Sequence, residues 1–417
     1  MMKVNAGKRG LLIRAIARSM ALTLVLLVVP QLGAQTAGEP TPLLKQGQAV
    51  DWWFVFKFNA GSLPGCASDA QRVCRFGGSV QPYKSFSQQF AFASSADHTL
   101  QAGGGCVGDT NLDPLGATFD ELYNGKLFYV VWNDQFYGDP IANKGGPAGH
   151  SKGAVAWDKS GNGFVLQVST PSWPGSGSSN HPRATDGNTL GCVKDPDVLV
   201  SQHFFALKLN KNDVVSVLDA LENASVVTDP SNPQVVNNGG PEEIQTLVKN
   251  LGRNSKSKIV TKHLLSSGVV LISKPSDLHV PPWQMVSAVL GGEPLRTATW
   301  WANPYIPPTT STSDVGCWDP SLAKPGAVDI AITGTWEGNT IGLKGTPTNS
   351  GNHAKIGIST GRHTYSIFGD MNQQGSLSGP NCKSSQNGRG GLFYVIDDPK
   401  LTDSLRELLK GQSAPSD

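Results

Sequence analysis

The pattern His-x-Lys occurs twice, as His150-Ser151-Lys152 and His353-Ala354-Lys355, with the two histidines 203 positions apart. Each copy follows a glycine-containing polar turn. Each opens an apolar run, meets a tight turn (Gly161-Asn162 or Gly361-Arg362), and returns as Phe164–Thr170 or Thr364–Asp370. A strand, turn and returning strand recurring in each half of a chain reads as a diverged duplication. Residues i and i+2 of a strand share a face. His150 and Lys152 are therefore expected on one face with Ala154, Ala156 and Asp158, and His353 and Lys355 with Gly357 and Ser359. Those small or polar positions read as room for a substrate. Val155 and Trp157, or Ile356 and Ile358, read as the packed side.

Paired imidazole and ammonium groups suit a phosphodiester. A lysine holds the non-bridging oxygens and neutralises charge that builds up on them. One neutral histidine attacks phosphorus and a second, protonated one gives its proton to the leaving oxygen. Water then cleaves the phosphohistidine, with the second histidine as base. Two lysines supply the positive charge, so the reading calls for no metal and no other cofactor.

Five basic residues (Lys3, Lys8, Arg9, Arg14, Arg18) and no acid lie in the first 34 positions, and Met20–Val29 is almost wholly apolar. With Gly33-Ala34 at its exit, this segment reads as a secretory signal peptide, placing the mature chain outside the cytoplasm, secreted or periplasmic. Without it, 29 basic residues face 32 acidic ones. That balance excludes a globally basic nucleic-acid coat, so any polyanion site is local. The 48 glycines and 28 prolines, with 16% charged residues, describe a loop-rich, strand-rich globular protein. Cys66, Cys74, Cys106, Cys192, Cys317 and Cys382 lack metal-ligand spacing and read as disulfides. Cys66 with Cys74, and Cys317 with Cys382, are the pairings expected.

Pro, Asn and Gly crowd Asp229–Pro241 and mark a boundary. The divisions expected are 1–34 signal peptide, 35–47 extension, 48–228 first half, 229–243 linker and 244–417 second half. Strands are expected at 51–58, 126–132, 164–168, 259–260, 268–273, 327–333 and 391–396, with helices at Asn212–Asn223 and Leu401–Gln412.

Further blocks carry a resemblance. Asp51-Trp52-Trp53-Phe54, Trp132-Asn133-Asp134-Gln135, Gly149-His150-Ser151-Lys152-Gly153, Gly187–Cys192, His353-Ala354-Lys355 and Gly369-Asp370-Met371-Asn372, then a Gly-rich run ending in Arg389-Gly390-Gly391, follow one another in this order. The sequence resembles the deoxyribonuclease II family, a branch of the phospholipase D superfamily, over most of the mature chain. The resemblance implies a mixed α/β fold of two phospholipase D-like halves, each a sheet flanked by helices. The halves would be related by a pseudo-twofold axis and share one site. It implies an acid, metal-independent endonuclease leaving 3′-phosphate and 5′-hydroxyl ends on double-stranded DNA. Carried over, His150 and His353 are nucleophile and general acid, with His150 the favoured nucleophile. Lys152 and Lys355 are phosphate clamps, and Asp370 and Asn372 contact or orient the site. The chain departs from the pattern at Ser169-Thr170-Pro171-Ser172-Trp173-Pro174, where Ser169 puts a hydroxyl in place of an amide contact to substrate. It also lacks the family's cysteine before the Asp-Trp strand, so Cys192 finds another partner, Cys106 being one, or stays free. The usual superfamily Asp after His-x-Lys-x4 is Trp157 here, which speaks against a phospholipase.

His98, His181, His203, His263, His279 and His363 lack a neighbouring lysine in this pattern, and a structural role is the default. Lys249, Arg253, Lys256, Lys258 and Lys262 form an acid-free run, either a solvated face or a track for the DNA backbone. Trp300-Trp301 reads as core or as a base-stacking platform. Rival readings are a phosphodiesterase of phospholipid or RNA, and a non-catalytic binder of DNA or glycan. A homodimer clamping a duplex is compatible with all of this.

Overall fold

The computed structural model describes residues 39–65, 89–108, 111–136, 141, 146–171 and 199–416. The expected signal peptide, the Cys66–Cys74 pairing, Cys192, the Gly187–Cys192 block and His181 lie outside these residues.

A short hairpin of β1 (Leu43–Lys45) and β2 (Gln48–Ala49) precedes β3 (Trp52–Lys57), β4 (Phe90–Ser94) and β5 (Asp97–Ala102). The run Trp-Trp-Phe-Val-Phe makes β3 a strand buried on both faces. Trp53 points to α1 (Pro114–Asn124), where its indole N–H donates to Thr118 Oγ1 at 3.0 Å, while Phe54 stacks on Phe368. Asp113 caps α1 by accepting from the Gly116 N–H. Next come β6 (Phe128–Asn133), β7 (Lys152–Trp157), β8 (Gly163–Val168) and β9 (Gln202–Leu209). The helix α2 (Lys211–Asn223) follows; its cap is Asn210, with Asp213 closing a capping box, two residues before the helix start read from sequence. Then β10 (Val236–Asn237) and α3 (Glu242–Asn250) are formed.

The second set is β11 (Thr261–Leu264), β12 (Val270–Lys274), α4 (Pro282–Val289), β13 (Leu295–Ala298), β14 (Val328–Ile330), β15 (Thr333–Trp336) and β16 (Asn339–Gly342). It ends with β17 (Ile356–Ser359), β18 (Tyr365–Gly369), β19 (Gly391–Asp397) and α5 (Pro399–Leu408). Ile259 and Val260 lie outside a strand, since pairing with β12 begins at Thr261. Asp398 caps α5 and Pro399 occupies its first turn, so this helix starts and ends earlier than its Thr402 and Gly411 signals indicate.

Among the described residues β10-β6-β7-β8-β9-β3-β4-β5 form one sheet and β11-β12-β19-β18-β17-β13-β14 another. The strands β6-β7-β8-β9-β3 and β13-β17-β18-β19-β12 are antiparallel and have the same relation between chain order and spatial order. The faces of the two sheets meet in one core, where Phe54 and Phe205 stack on Phe368 at 4.5 and 4.8 Å. Side chains of β19 alternate: Leu392, Tyr394 and Ile396 enter that core, while Phe393 and Val395 pack with Trp283 and Val286 of α4. The stretch 229–243, expected as a linker, holds β10, which pairs with β6, and the start of α3. Cys317 is disulfide-bonded to Cys382, as the sequence reading has it, and Cys106 is bonded to a partner outside the described residues.

Candidate active site

The histidines stand ahead of their strands rather than on them, because other parts of the chain take their backbone bonds. The His150 N–H donates to Gly390 O at 2.8 Å and the His353 N–H to Ser201 O at 2.7 Å. Gly390 and Ser201 are the residues just before β19 and β9. The chain passes tightly here: a Cβ on Gly149 or on Gly390 would come within 2.5 or 2.1 Å of Ala224 O.

The rings are held in the same reciprocal way. His150 Nδ1 lies 2.8 Å from Asp370 O, and His353 Nδ1 lies 2.8 Å from Ser169 O. Asp370 follows β18 and Ser169 follows β8, so each ring is bound by the end of the other sheet's returning strand. A carbonyl only accepts, so Nδ1 carries the proton on both rings and Nε2 keeps its lone pair when the ring is neutral. Burial pulls both imidazoles well below the usual histidine range, and Lys152 and Lys355 act on both in the same direction. His353 also feels His150.

The strand faces differ from the expected open and packed sides. All six residues of β7 and all four of β17 are buried. A Cβ on Gly357 would lie 2.6 Å from the Trp283 ring, and Ala154 and Ala156 are fully buried in the core. These small positions are filled by packed core, so the expected substrate space is not on those faces.

The two lysines are buried in different settings. Lys152 donates to Asp134 at 2.5 Å, and the other oxygen of Asp134 meets the Arg389 guanidinium at 2.9 Å. Arg389 also donates to Ala148 O and Gly149 O, tying this triad to the backbone that carries His150. Lys355 donates to His353 O at 2.6 Å and lies 3.2 Å from His353 Nδ1. Its own N–H donates to Nδ1 of the buried His203 at 3.1 Å. Behind these groups, Lys274 donates to Leu278 O, Asn387 O and Arg389 O, which fixes the segment that seats His150. Lys57, at the matching end of β3, donates to Phe58 O and Val200 O.

Asp370 accepts from the Leu392 N–H at 2.9 Å and from Gln167 at 3.1 Å, and burial raises its carboxyl to about 7 against the hydrogen bonds from Ser151, Leu392 and Gln167 and the charge of Lys152. Ser169 is engaged within the protein: its hydroxyl bonds Gln202 Oε1 and accepts from the His203 N–H. Asn372 is buried and donates to Gln374, away from the two rings' bonds. The five basic residues of 249–262 are exposed, and Ser255 N–H of that run bonds Ser225 Oγ, while Ser225 O accepts from the Gly149 N–H. Among the described residues no three His, Cys, Asp or Glu side chains gather in a metal-binding group.

A sequence model of the family described as Deoxyribonuclease II matches residues 41–414. The chain belongs to the deoxyribonuclease II family. Deoxyribonuclease-2-alpha of Rattus norvegicus is 30% identical over 158 residues, which is 36% of this chain. The chain spans 40% of the length of that curated relative. Both His-x-Lys copies lie within the part matched to deoxyribonuclease II.

The sequence reading does not single out Asp134, Arg389, His203 or Lys274 as site residues, and it takes Trp300 as core or as a base-stacking platform. Asp134 and Arg389 stand in the family-like blocks, and an acid and a base within such blocks were the available signal. Nothing local marks His203 or Lys274.

Asp370 gives a pH test. In the folded chain it keeps its proton to about pH 7, whereas unfolded it releases it near 3.8, as an ordinary aspartate does. The folded state thus binds the extra proton between these values, and stability falls as pH rises through that window. An Asp370→Asn variant removes this pH dependence. Its thermal midpoint relative to wild type is expected to climb from pH 4 to pH 7, and a constant difference would contradict the assignment.

Proposed function

We propose that this chain is an acid endonuclease that hydrolyses DNA phosphodiesters without divalent metal, secreted or periplasmic after loss of its leader. The observation that carries the reading is the reciprocal seating of the two imidazoles. Each Nδ1–H is fixed on a main-chain carbonyl from the other sheet, which leaves two Nε2 atoms for chemistry, with the charges of Lys152 and Lys355 acting on both rings. The matched strand order of the two sheets and the paired lysines 57 and 274 support two halves related by a pseudo-twofold axis, divided near residues 229–243.

In the mechanism proposed, Nε2 of one neutral histidine forms a bond to phosphorus and the P–O5′ bond breaks. The departing 5′ oxygen takes the Nε2 proton of the other, protonated histidine. Water then attacks the phosphohistidine, gives its proton to that second histidine and releases a 3′-phosphate. Lys152 and Lys355 stabilise the charge on the non-bridging oxygens. Because both imidazoles are held below the usual range, the protonated partner exists only in acid. The rate is bell-shaped and falls as pH rises through that lowered value.

End-group analysis of plasmid digested in acid with EDTA tests the proposal. The ends should resist 3′ extension until phosphatase is added and should accept a 5′ phosphate from a kinase directly. Ends of the opposite polarity, or no cleavage with chelator present, would sink it. The exposed basic run beside the Ser225–Gly149 link fits a backbone track. Changing Lys256, Lys258 and Lys262 to Gln should weaken DNA binding and flatten the salt dependence by about 3 in log–log slope; an unchanged slope would leave the run a solvated face.

A further inference from the structure

The two sheets differ at one matched position beside the histidines. In the first, Asn133 pairs with Lys152, and the next residue, Asp134, binds the Lys152 ammonium. In the second, Ala298 pairs with Ile356, so the same register places Thr299 opposite Lys355 and makes Trp300 the counterpart of Asp134. Where one sheet supplies a carboxylate, the other supplies an indole. Trp300 is half-buried and meets the His353 ring edge-on, with centroids 5.2 Å apart.

An aromatic and basic strip continues from it. Trp301 is buried, and its indole N–H donates to Ile306 O, which fixes the turn that carries Tyr305. The Tyr305 ring lies 4.6 Å from that of Trp301 and is 45% exposed. The exposed Lys344 places its ammonium 5.7 Å above the Trp301 ring. Lys344 O accepts from the N–H of Asn352, the residue before His353, so the strip and the histidine share one backbone frame.

A phosphate held between two imidazoles has a nucleoside on either side. An exposed aromatic ring with a cation beside it is how proteins hold unpaired bases, since every base offers a π-face and the cation meets the backbone. We infer that Trp300, Tyr305 and Lys344 form a nucleobase subsite on the His353 side, which takes the base flanking the scissile phosphate from an unpaired strand. This rests on the phosphodiesterase reading above. It goes further by making single-stranded or locally opened DNA the form engaged, because a base stacked in a duplex cannot also stack on protein.

The test compares Trp300→Ala, Trp300→Phe and Tyr305→Ala on oligothymidylate and on an abasic oligodeoxynucleotide of equal length. The ratio of kcat/KM for the base-bearing to the abasic substrate should drop about tenfold in Trp300→Ala, mainly through KM, and recover in Trp300→Phe. Tyr305→Ala, at an exposed position, should lower the same ratio severalfold. Equal loss on both substrates would make Trp300 a mere support for His353 and overturn the subsite; so would no loss. If wild type cuts plasmid but neither oligonucleotide, the subsite for an unpaired base is overturned; if it cuts no DNA at all, the nuclease reading fails by itself. Anisotropy of labelled oligothymidylate on His150→Ala protein then judges the subsite: about tenfold weaker binding on adding Trp300→Ala supports it, and unchanged binding overturns it.

Discussion

Exchanging His150 or His353 for asparagine is expected to lower DNA turnover by at least about a thousandfold in each case, the upper range for losing one acid–base or nucleophilic group. Asparagine can still donate to Asp370 O or Ser169 O, the carbonyls that seat the two rings, so the fold should survive. It offers no nitrogen lone pair to phosphorus and no titrating proton. Neither histidine can replace the other, because each is fixed by a carbonyl from the opposite sheet. A substrate with a p-nitrophenolate leaving group, which departs without a proton, separates the roles. The variant lacking the acid should give a burst and stall as phosphoenzyme, while the one lacking the nucleophile gives none. Near-normal DNA cleavage by either variant, with thermal midpoints intact, would end the two-histidine proposal.

Replacing Asp134 by alanine is expected to cost about 3–5 kcal/mol of stability, the scale for stripping one partner from a buried ion pair. Asp134 is 1% exposed and lies between Lys152, which is 2% exposed, and Arg389. Without the carboxylate, two cations face each other with little water to screen them. The damage should reach the site, since Arg389 also holds Gly149 O and Ala148 O. Urea unfolding of Asp134→Ala and of the double variant with Arg389→Met measures it. The double variant should regain part of the loss, because one uncompensated charge is gone. A loss below about 1 kcal/mol would place the pair in the range of exposed salt bridges and contradict its burial.

Much of the fold is legible in local pattern. The β3 strand shows in its run of aromatics, and the hairpins β7–β8 and β17–β18 show in apolar alternation broken by Gly-Asn and Gly-Arg turns. The helices start one and two residues earlier than the local signals indicate because Asn210 and Asp398 supply the caps, and several polar residues nearby could do so equally well. The face reading failed for a different reason. Alternation separates two faces but does not say whether the second is covered, and here α4, α1 and the opposing sheet cover both.

The sequence by itself determined that this chain carries two His-x-Lys copies, each entering a strand and hairpin, and with them the family. Only the tertiary structure decided that His150 rests on Asp370 O, 220 positions away, and His353 on Ser169 O, 184 positions away. It alone set Asp134 against two cations and Trp300 against an imidazole. Periodicity along a strand reports what lies within a few residues. The carbonyls and Arg389 come from the far sheet and Trp300 from a neighbouring strand, so which groups meet is chosen by strand pairing and sheet packing, and no local spacing encodes that.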